Sequence, residues 1–195
     1  MARRNRPNPG RGAGLVRLIG GQHRGRRLSI ANLEGLRPTG DRQRETLFNW
    51  LQFDIAGSRV ADLYAGTGAL GLEAASRGAE QVWLIERHPQ AVGALRNAVT
   101  LLQAPANVES ADALDWLQRT EAGPFDGVFI DPPFADDLWV PTVEALLARP
   151  LLKPGAWVYL ETPTSWVPAV PASLQLSKEK TSGAVVQRLY RFESN

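Results

Sequence analysis

The chain lacks several residue types on which common functional sites depend. Among its 195 residues there is no cysteine, which excludes a disulfide framework, a thiolate nucleophile and a zinc site with sulfur ligands. Histidine occurs only as His23 and His88, so a metal site with several histidine ligands is excluded as well. No apolar run reaches the roughly 18 residues that a transmembrane helix needs. The remaining composition, with 44% hydrophobic and 22% charged residues, is typical of one globular domain.

Charge is distributed unevenly along the chain. Residues 1–44 contain eleven arginines and two acids, whereas residues 45–195 contain the other eleven basic residues and eighteen acids. The net charge is therefore +9 in the first part and −7 in the second, for a total of +2. We call residues 1–44 the basic arm. Because its cations are all arginines, which make forked contacts with phosphates and stack on bases, the basic arm indicates a polyanionic partner.

The chain is expected to divide into three parts. Residues 1–12 are rich in Pro, Gly and Asn and should form a flexible basic tail. Residues 13–56 interleave apolar and charged side chains, which predicts a basic N-terminal extension with two short strands around Gly20-Gly21 and a helix from about 42 to 53, with Asp41 as its N-cap. A transit peptide is another interpretation of this acid-poor segment. Residues 57–195 should form the main domain.

From residue 59 onward, short apolar runs alternate with helical stretches. We predict strands at 59–64, 81–86, 107–110, 125–130 and 157–161, separated by helices at 69–77, 89–102, 113–119 and 137–148. Short strands that are apolar on both faces indicate a parallel sheet covered by helices on both sides. Residues 174–180 and 184–192 predict a closing β-hairpin. The fold class is therefore α/β, with a mostly parallel, seven-stranded, Rossmann-like sheet.

A glycine-rich loop follows the first of these strands. Gly66, Gly68 and Gly71 satisfy the pattern G-x-G-x-x-G, in which the missing side chains allow a sharp turn and close backbone approach to a ligand. Glu86 ends the second strand 20 residues after Gly66, where a carboxylate can accept hydrogen bonds from two ribose hydroxyls. The spacing predicts a nucleoside-binding crevice rather than a tight turn beside a solvated glutamate.

Two acids bear on which nucleoside binds. Asp62 lies inside the first strand, where a carboxylate suits the amino and sulfonium cations of S-adenosylmethionine and is unfavourable beside the pyrophosphate of a dinucleotide. Asp62 could equally accept backbone N–H groups of the loop. Asp112 is placed to accept from an adenine amino group near the Ala113 N–H, or to cap the helix that begins at 113. A nicotinamide dinucleotide stays the alternative ligand at this point.

The fourth strand ends in Asp131-Pro132-Pro133-Phe134, a combination suited to methylation of a planar exocyclic amine. The lone pair of such a nitrogen is delocalised into the ring, so acceptors must hold its two hydrogens and orient it toward the methyl donor. The Asp131 carboxylate and the Pro132 carbonyl can do this, because prolines fix φ near about −65° before the substrate arrives. Phe134 offers a stacking face for a base taken out of its own stack. A plain Pro-Pro turn after a buried strand is the alternative interpretation.

These motifs and the segments before the sheet resemble one family. Residues 17–26, 35–39 and 41–51, together with the glycine loop and Asp131 to Phe134, are similar to the bacterial 16S ribosomal RNA guanine-N2 methyltransferases of the RsmD type, which are class I S-adenosylmethionine-dependent enzymes. The resemblance implies S-adenosylmethionine as cofactor and methyl transfer to N2 of one guanine in 16S RNA, either naked or in an assembling small subunit. We further expect a cytoplasmic monomer that uses no metal and binds no membrane.

The expected site residues fall into three groups. Asp131, Pro132, Pro133 and Phe134 are expected to face the base and are the candidate catalytic residues. Cofactor binding is expected from Asp62, Tyr64, Ala65, Gly66, Thr67, Gly68, Glu86, Arg87, Asp112, Ala113 and Asp131. RNA contacts are expected from Arg24, Arg26, Arg27, Arg37, Thr39 and Arg42, because sequence-specific RNA recognition targets loops whose phosphates and unstacked bases are accessible. Deleting residues 1–30 is expected to abolish RNA methylation and to spare cofactor binding.

Other functions remain open on the sequence alone. Methylation of adenine N6 in nucleic acid, or of a glutamine in a release factor, uses a similar Asx-Pro-Pro-aromatic segment. An NAD-dependent oxidoreductase would bind nicotinamide, but neither His23 nor His88 falls at a strand's carboxyl end to relay a proton. A non-catalytic RNA-binding module with a vestigial pocket would lose nothing beyond RNA affinity when the Asp131 carboxylate is removed.

Overall fold

The structure is a computed structural model, and it describes residues 15–29, 40–167 and 169–194. The predicted tail at 1–12 and two of the expected RNA contacts, Arg37 and Thr39, lie outside the described residues. Within the described part, no helix combines the length and the apolar character needed to cross a lipid bilayer.

The described residues form two small strands and a helix, followed by alternating strands and helices. In chain order the elements are β1 (Leu15–Arg17), β2 (Arg27–Ser29), α1 (Asp41–Trp50), β3 (Arg59–Asp62), α2 (Gly71–Ser76), β4 (Gln81–Glu86), α3 (Pro89–Leu102), β5 (Ala106–Ser110), α4 (Ala113–Arg119), β6 (Phe125–Ile130), a 3-10 turn (Phe134–Asp136), α5 (Trp139–Leu147), β7 (Leu152–Pro163), β8 (Leu174–Ser182) and β9 (Val185–Phe192). The alternation is the one that the apolar runs predicted.

The main sheet has the strand order β5-β4-β3-β6-β7-β9-β8. The first five strands in this order are parallel, and β9 pairs antiparallel with both β7 and β8. The predicted α/β fold, with its mostly parallel seven-stranded sheet and C-terminal hairpin, is confirmed. The strand order runs outward in both directions from β3 and β6. Doubly wound folds bind their ligands beside the carboxyl ends of the strands at this switch point.

Each face of the sheet is covered by its own hydrophobic core. Neighbouring residues of a strand point to opposite faces, so Val60 and Phe129 belong to one core while Ala61 and Val128 belong to the other. Both cores are buried, and for this reason the central strands are apolar at nearly every position rather than at alternate ones.

The N-terminal extension shares one of these cores. Leu18, Leu28 and Phe48 are buried in the same cluster as Phe129, and the rings of Phe48 and Phe129 lie 6.0 Å apart. Deleting residues 1–30 would therefore remove core side chains as well as the exposed arginines, so the deletion does not isolate RNA binding. Point substitutions on the exposed face of the extension replace that deletion as the test of RNA binding.

The helix of the extension begins differently from the prediction. Gly40 rather than Asp41 is the N-cap of α1, and the Gly40 N–H donates to the Gln43 side chain at 3.0 Å. Asp41 is the first helical residue, and its carboxylate accepts from Arg17 at 2.7 Å and from Arg44 at 2.6 Å. The hydrogen bond from Arg17, with that from Arg44, lowers the pKa of Asp41. The prediction of Asp41 as the N-cap is wrong, because its carboxylate pairs with Arg17 and Arg44 instead of capping backbone N–H groups of the first turn.

The loop between β1 and β2 is docked on the end of α2. Backbone N–H groups of Ile19, Gln22 and His23 donate to the Glu73 carboxylate, the Ser76 carbonyl and the Ser76 hydroxyl at 2.8, 2.7 and 3.0 Å, respectively. Gly21 has a φ of +72°, and a Cβ there would lie 1.8 Å from the Ser76 carbonyl oxygen. Glycine is thus required at 21, and the loop holds the helix that follows the glycine-rich turn.

Candidate active site

A cavity of about 1010 Å³ opens where the parallel strands β3, β4, β5 and β6 end. Of the residues expected to bind cofactor or to act on the base, those that line the cavity are Asp62, Tyr64, Ala65, Gly66, Thr67, Glu86, Arg87, Asp112, Ala113, Asp131, Pro132, Pro133 and Phe134. Four separate loops thus bring the predicted groups together, because parallel strands place their carboxyl ends at one edge of the sheet.

One expected cofactor contact, Gly68, does not line the cavity. A Cβ at this position would lie 2.7 Å from the side chains of both Leu72 and Leu95, so the glycine is explained by packing between the loop and two helices. Its φ of +77° also requires the backbone freedom of glycine. Gly71 has a similar packing role, since its Cβ would lie 2.3 Å from Leu84. Within G-x-G-x-x-G, only Gly66 reaches the cavity wall.

The Glu86 carboxylate is oriented by two backbone N–H groups. Gly66 donates to one of its oxygens at 2.9 Å and His88 donates to the other at 2.7 Å. His88 lines the cavity just after the carboxyl end of β4, so the prediction that neither histidine falls at such an end is wrong. It is the N-cap of α3 and accepts from the Gln90 N–H. Glu86 is thereby fixed at the cavity wall with a second lone pair left on each oxygen.

Asp62 accepts a backbone N–H, as one of its two predicted interpretations requires, and it also faces the cavity. Its carboxylate accepts the Gly71 N–H at 2.9 Å, which ties β3 to the start of α2, and it also lines the cavity. Burial raises the pKa of Asp62 from 3.8 to about 7, and the nearby charge of Glu86 acts in the same direction. An almost fully buried acid of this kind is costly to ionise unless a cation approaches it.

Asp112 is the N-cap of α4, as predicted. Its side chain accepts from the Leu114 N–H at 2.9 Å and from the Asp115 N–H at 3.4 Å. The preceding residue, Ala111, donates its N–H to the Glu86 carbonyl, so the Asp112 turn is attached to the Glu86 strand. Asp112 lines the cavity beside Ala113, and the capping and ligand-facing positions are compatible.

The Asp131-Pro132-Pro133-Phe134 segment passes from β6 into the 3-10 turn. Pro132 is buried, whereas Phe134 keeps 42% of its surface exposed. The Phe134 ring lies 5.7 Å from the ring of Trp139, whose indole N–H donates to the Glu161 carbonyl at 2.8 Å. Trp139 is not itself part of the cavity wall. It supports Phe134 from the protein side, so the exposed side of Phe134 is available to a planar ligand.

The sequence did not predict three polar residues of the cavity wall, Asp136, Gln43 and Glu161. Arg87 and Asp136 form an ion pair at 2.9 Å that joins the loop after β4 to the 3-10 turn after β6. Gln43 enters the wall from α1, and Glu161 enters it from β7. Glu161 could have been noticed, since it is an acid in a strand that is otherwise apolar. Gln43 has no comparable signal, because only the packing of α1 on the sheet brings it to the cavity.

The arginines of the basic arm divide into structural and exposed groups. Arg44 is buried, donates to Asp41 and to the Arg17 carbonyl, and lies 3.7 Å from Glu73. Of the expected RNA contacts that the structure describes, all are exposed, namely Arg24, Arg26, Arg27 and Arg42. Arg26 donates to the Leu101 carbonyl at 3.3 Å, and none of the four forms an ion pair with a described acid.

Three features together define a class I methyltransferase. They are the sheet order, the glycine loop that leads into α2, and the Asp-Pro-Pro-Phe segment at the carboxyl edge of the sheet. Comparison with known proteins agrees. The family model described as "Conserved hypothetical protein 95" matches residues 16–191. Ribosomal RNA small subunit methyltransferase D of Haemophilus influenzae is 42% identical over 182 residues, which is 91% of this chain and 94% of that protein.

The protein of the same name from Escherichia coli strain K12 is also 42% identical, over 186 residues covering 94% of this chain and 93% of that protein. The solved structure of yhhF from Escherichia coli superimposes with a TM-score of 0.85, at 42% identity, over 93% of this chain and 100% of that one. The chain therefore belongs to the family of ribosomal RNA small subunit methyltransferase D.

Proposed function

We propose that this protein transfers the methyl group of S-adenosylmethionine to the exocyclic N2 of a guanine in 16S ribosomal RNA. The observation that carries the proposal is that Asp131 and Pro132 lie in one cavity with the Glu86 and Asp112 carboxylates. Acceptors for a planar amine and acceptors for a nucleoside thus face the same space. The ribosomal RNA substrate is supported by the names of the relatives, which describe small-subunit RNA methyltransferases.

The cavity residues fit S-adenosylmethionine. Glu86 is oriented to accept from the two ribose hydroxyls, and Asp112 can accept from the adenine amino group beside the Ala113 N–H. Asp62 provides the buried negative charge that complements the cationic part of the ligand. The loop at Tyr64 to Thr67 forms the remaining wall, and the Tyr64 hydroxyl is held by Thr142 of α5. When bound, S-adenosylmethionine supplies a methyl group that is activated by its attachment to a sulfonium.

The chemistry assigned to the protein is orientation of the amine. The Asp131 carboxylate and the Pro132 carbonyl accept the two N2 hydrogens, which draws the nitrogen lone pair out of conjugation and directs it at the methyl group. Pro133 has a φ of −54°, and the restricted proline backbone holds this arrangement in place before the base enters. Phe134, supported by Trp139, stacks on the extruded base. Methyl transfer would form the bond from N2 to carbon as the bond from sulfur to carbon breaks, S-adenosylhomocysteine would leave, and the methylated amine would lose one of its hydrogens as a proton. The fixed acceptors would stabilise the positive charge that develops on N2 in the transition state.

The exposed arginines of the extension are assigned to the RNA backbone. Arg24, Arg26, Arg27 and Arg42 lie on the same extension whose α1 contributes Gln43 to the cavity wall. Phosphate contacts from this surface would hold an RNA loop while one guanine enters the cavity. Affinity that depends on such contacts falls steeply as salt increases, because binding releases counterions.

The experiment is to incubate the protein with radiolabelled S-adenosylmethionine and unmodified 16S RNA or small subunits, and then to digest the RNA to nucleosides. The expected product is N2-methylguanosine at one position, and the Asp131→Ala variant, which should still bind cofactor, is the control. Labelled N6-methyladenosine would contradict the guanine assignment and favour the adenine alternative. Absence of label, with tight binding of a nicotinamide dinucleotide, would contradict methyl transfer altogether.

A further inference from the structure

The cavity contains one buried acid that neither the cofactor contacts nor the Asp131 segment accounts for. Glu161 of β7 is only 6% exposed, yet it lines the same cavity as Asp131 and Pro132. Asp131 and Glu161 both raise the pKa of the Tyr159 hydroxyl electrostatically, so both carboxylates lie within range of that hydroxyl. A carboxylate is seldom buried without a partner, so the contacts of Glu161 indicate what it binds.

A chain of hydrogen bonds fixes which oxygen of Glu161 is in use. The Gln187 amide N–H donates to the Tyr159 oxygen at 2.8 Å, so the Tyr159 hydroxyl must direct its own hydrogen elsewhere. That hydrogen goes to Oε2 of Glu161, 2.7 Å away. Burial raises the pKa of Tyr159 well above 10, so the hydroxyl stays protonated and remains a donor. Oε2 of Glu161 is therefore an acceptor held by a permanent donor.

The second oxygen, Oε1, has no hydrogen-bond partner among the described residues. The Glu161 side chain is mostly buried, so the charge of its carboxylate carries a desolvation cost. Burial accordingly raises the pKa of Glu161. A donor from a bound molecule would offset this cost, and Oε1 belongs to the residue that lines the cavity beside the proposed amine-binding groups.

The same chain of hydrogen bonds anchors Glu161 to the N-terminal extension. Gln187 is completely buried, and its amide N–H also donates to the Gln43 carbonyl of α1 at 3.0 Å. Gln43 itself lines the cavity. The Tyr159 hydroxyl that holds Glu161 is thus itself held by Gln187 of β9, which is anchored on α1, and this chain gives the Glu161 carboxylate a fixed position rather than that of a free surface side chain.

We propose that Glu161 reads the Watson–Crick edge of the target base by accepting the N1–H of guanine, an inference that rests on the proposed function. Guanine presents two adjacent donors on this edge, N1–H and the N2 amine. With the N2 hydrogens on Asp131 and Pro132, the neighbouring N1–H needs one further acceptor. Adenine presents a lone pair at N1, which a carboxylate repels. Glu161 is therefore a specificity-determining residue that admits guanine and rejects bases with an unprotonated N1.

The test changes the hydrogen-bonding group on each side of the proposed contact: an acceptor becomes a donor at residue 161, and a donor becomes an acceptor at N1 of the base. In the Glu161→Gln variant, the amide oxygen replaces Oε2 as the acceptor for Tyr159, and the amide N–H₂ replaces Oε1 toward the cavity. 2-Aminopurine retains the amine at position 2 but has a lone pair at N1. Wild-type protein should therefore prefer guanine, and the variant should lose that preference by at least about tenfold, because a mismatched pair leaves a buried polar group unpaired.

The assay compares methylation rates on 16S RNAs carrying either guanine or 2-aminopurine at the position mapped with wild-type protein. Glu80→Gln is the matched control, because Glu80 is exposed and precedes β4 at the opposite edge of the sheet, and this variant should keep the wild-type preference. An unchanged preference in Glu161→Gln overturns the inference. If that variant does not fold, wild-type protein alone still tests the inference, because equal methylation rates on guanine and 2-aminopurine would overturn the role of Glu161.

The result separates the inference from the proposed function. A labelled nucleoside other than N2-methylguanosine would overturn the proposed function itself. N2-methylguanosine from wild-type protein, together with an unchanged base preference in Glu161→Gln, would overturn only the role of Glu161. RNA with 7-deazaguanine at the target position is the substrate control, because this base is modified but keeps both the N1–H and the N2 amine. It should be methylated like guanine, which shows that a modified purine does not by itself slow the reaction.

Discussion

Replacing Asp62 by asparagine should make the stability of the ligand-free protein less sensitive to pH. Burial raises the pKa of Asp62 from 3.8 to about 7 in the folded protein, so between these values the native state keeps a proton that the unfolded chain has lost. The Asp62 contribution to stability therefore falls as pH rises from about 4 to about 7 and is constant above that. Asparagine can still accept the Gly71 N–H and has no charge to bury.

The magnitude follows from the same pKa. A rise from 3.8 to about 7 corresponds to a cost of about 4 kcal/mol at high pH, of which about 3 kcal/mol develops between about pH 5 and pH 8. Relative to wild-type protein, Asp62→Asn should thus gain about 3 kcal/mol in unfolding free energy between these two pH values. Urea denaturation of both proteins at each pH measures this difference, and a difference that does not change with pH would refute the assignment of a buried, protonated acid.

Binding of S-adenosylmethionine should lower the raised pKa of Asp62. A cationic ligand beside Asp62 favours the ionised carboxylate, so binding of S-adenosylmethionine near neutral pH should release a proton from wild-type protein. Titration calorimetry in buffers with different ionisation enthalpies measures the number of protons released, and Asp62→Asn should release none from this group. Equal proton release by the two proteins would show that Asp62 does not interact with the positive charge of the ligand.

Four further variants test other parts of the protein. Glu86→Ala should weaken S-adenosylmethionine binding by about 1–3 kcal/mol through lost hydrogen bonds; calorimetric affinity equal to wild type would refute the ribose assignment. Asp131→Ala should retain cofactor affinity and lose roughly 10²-fold or more in single-turnover methylation rate, and a wild-type rate would remove Asp131 from the site. Gly21→Ala should lower the free energy of unfolding by about 1–3 kcal/mol or more, because position 21 has a positive φ and the added Cβ would clash with the Ser76 carbonyl. Urea denaturation measures this loss, and an unchanged unfolding free energy would contradict the requirement for glycine. Joint replacement of Arg24, Arg27 and Arg42 by alanine should reduce RNA affinity and its salt dependence while cofactor affinity is unchanged; unaltered salt dependence would argue against phosphate contacts.

The local patterns of the sequence determined the fold class and most of the cavity wall. The alternation of apolar runs with helical stretches sets a parallel sheet, and a parallel sheet places the loop at Gly66, the acid Glu86 and the Asp131 segment at one edge whatever the details of packing. The cap at Asp112 was equally predictable, because its side chain accepts from a backbone N–H only two residues away. These features depend on neighbours in sequence or on strand direction alone.

The tertiary structure alone decided the roles that depend on distant partners. Asp41 is paired by Arg17, 24 positions away, and the docking of the β1–β2 loop joins residues more than 50 positions apart. The same holds for Glu161, whose free oxygen is defined by Tyr159 and, through it, by Gln187. Sequence spacing carries no information on such pairs, because their distance is set by how helices and strands pack. The arginines show the division most clearly, since one residue type serves buried ion pairs at 44 and an exposed surface at 24, 27 and 42, and only the packing of the extension tells them apart.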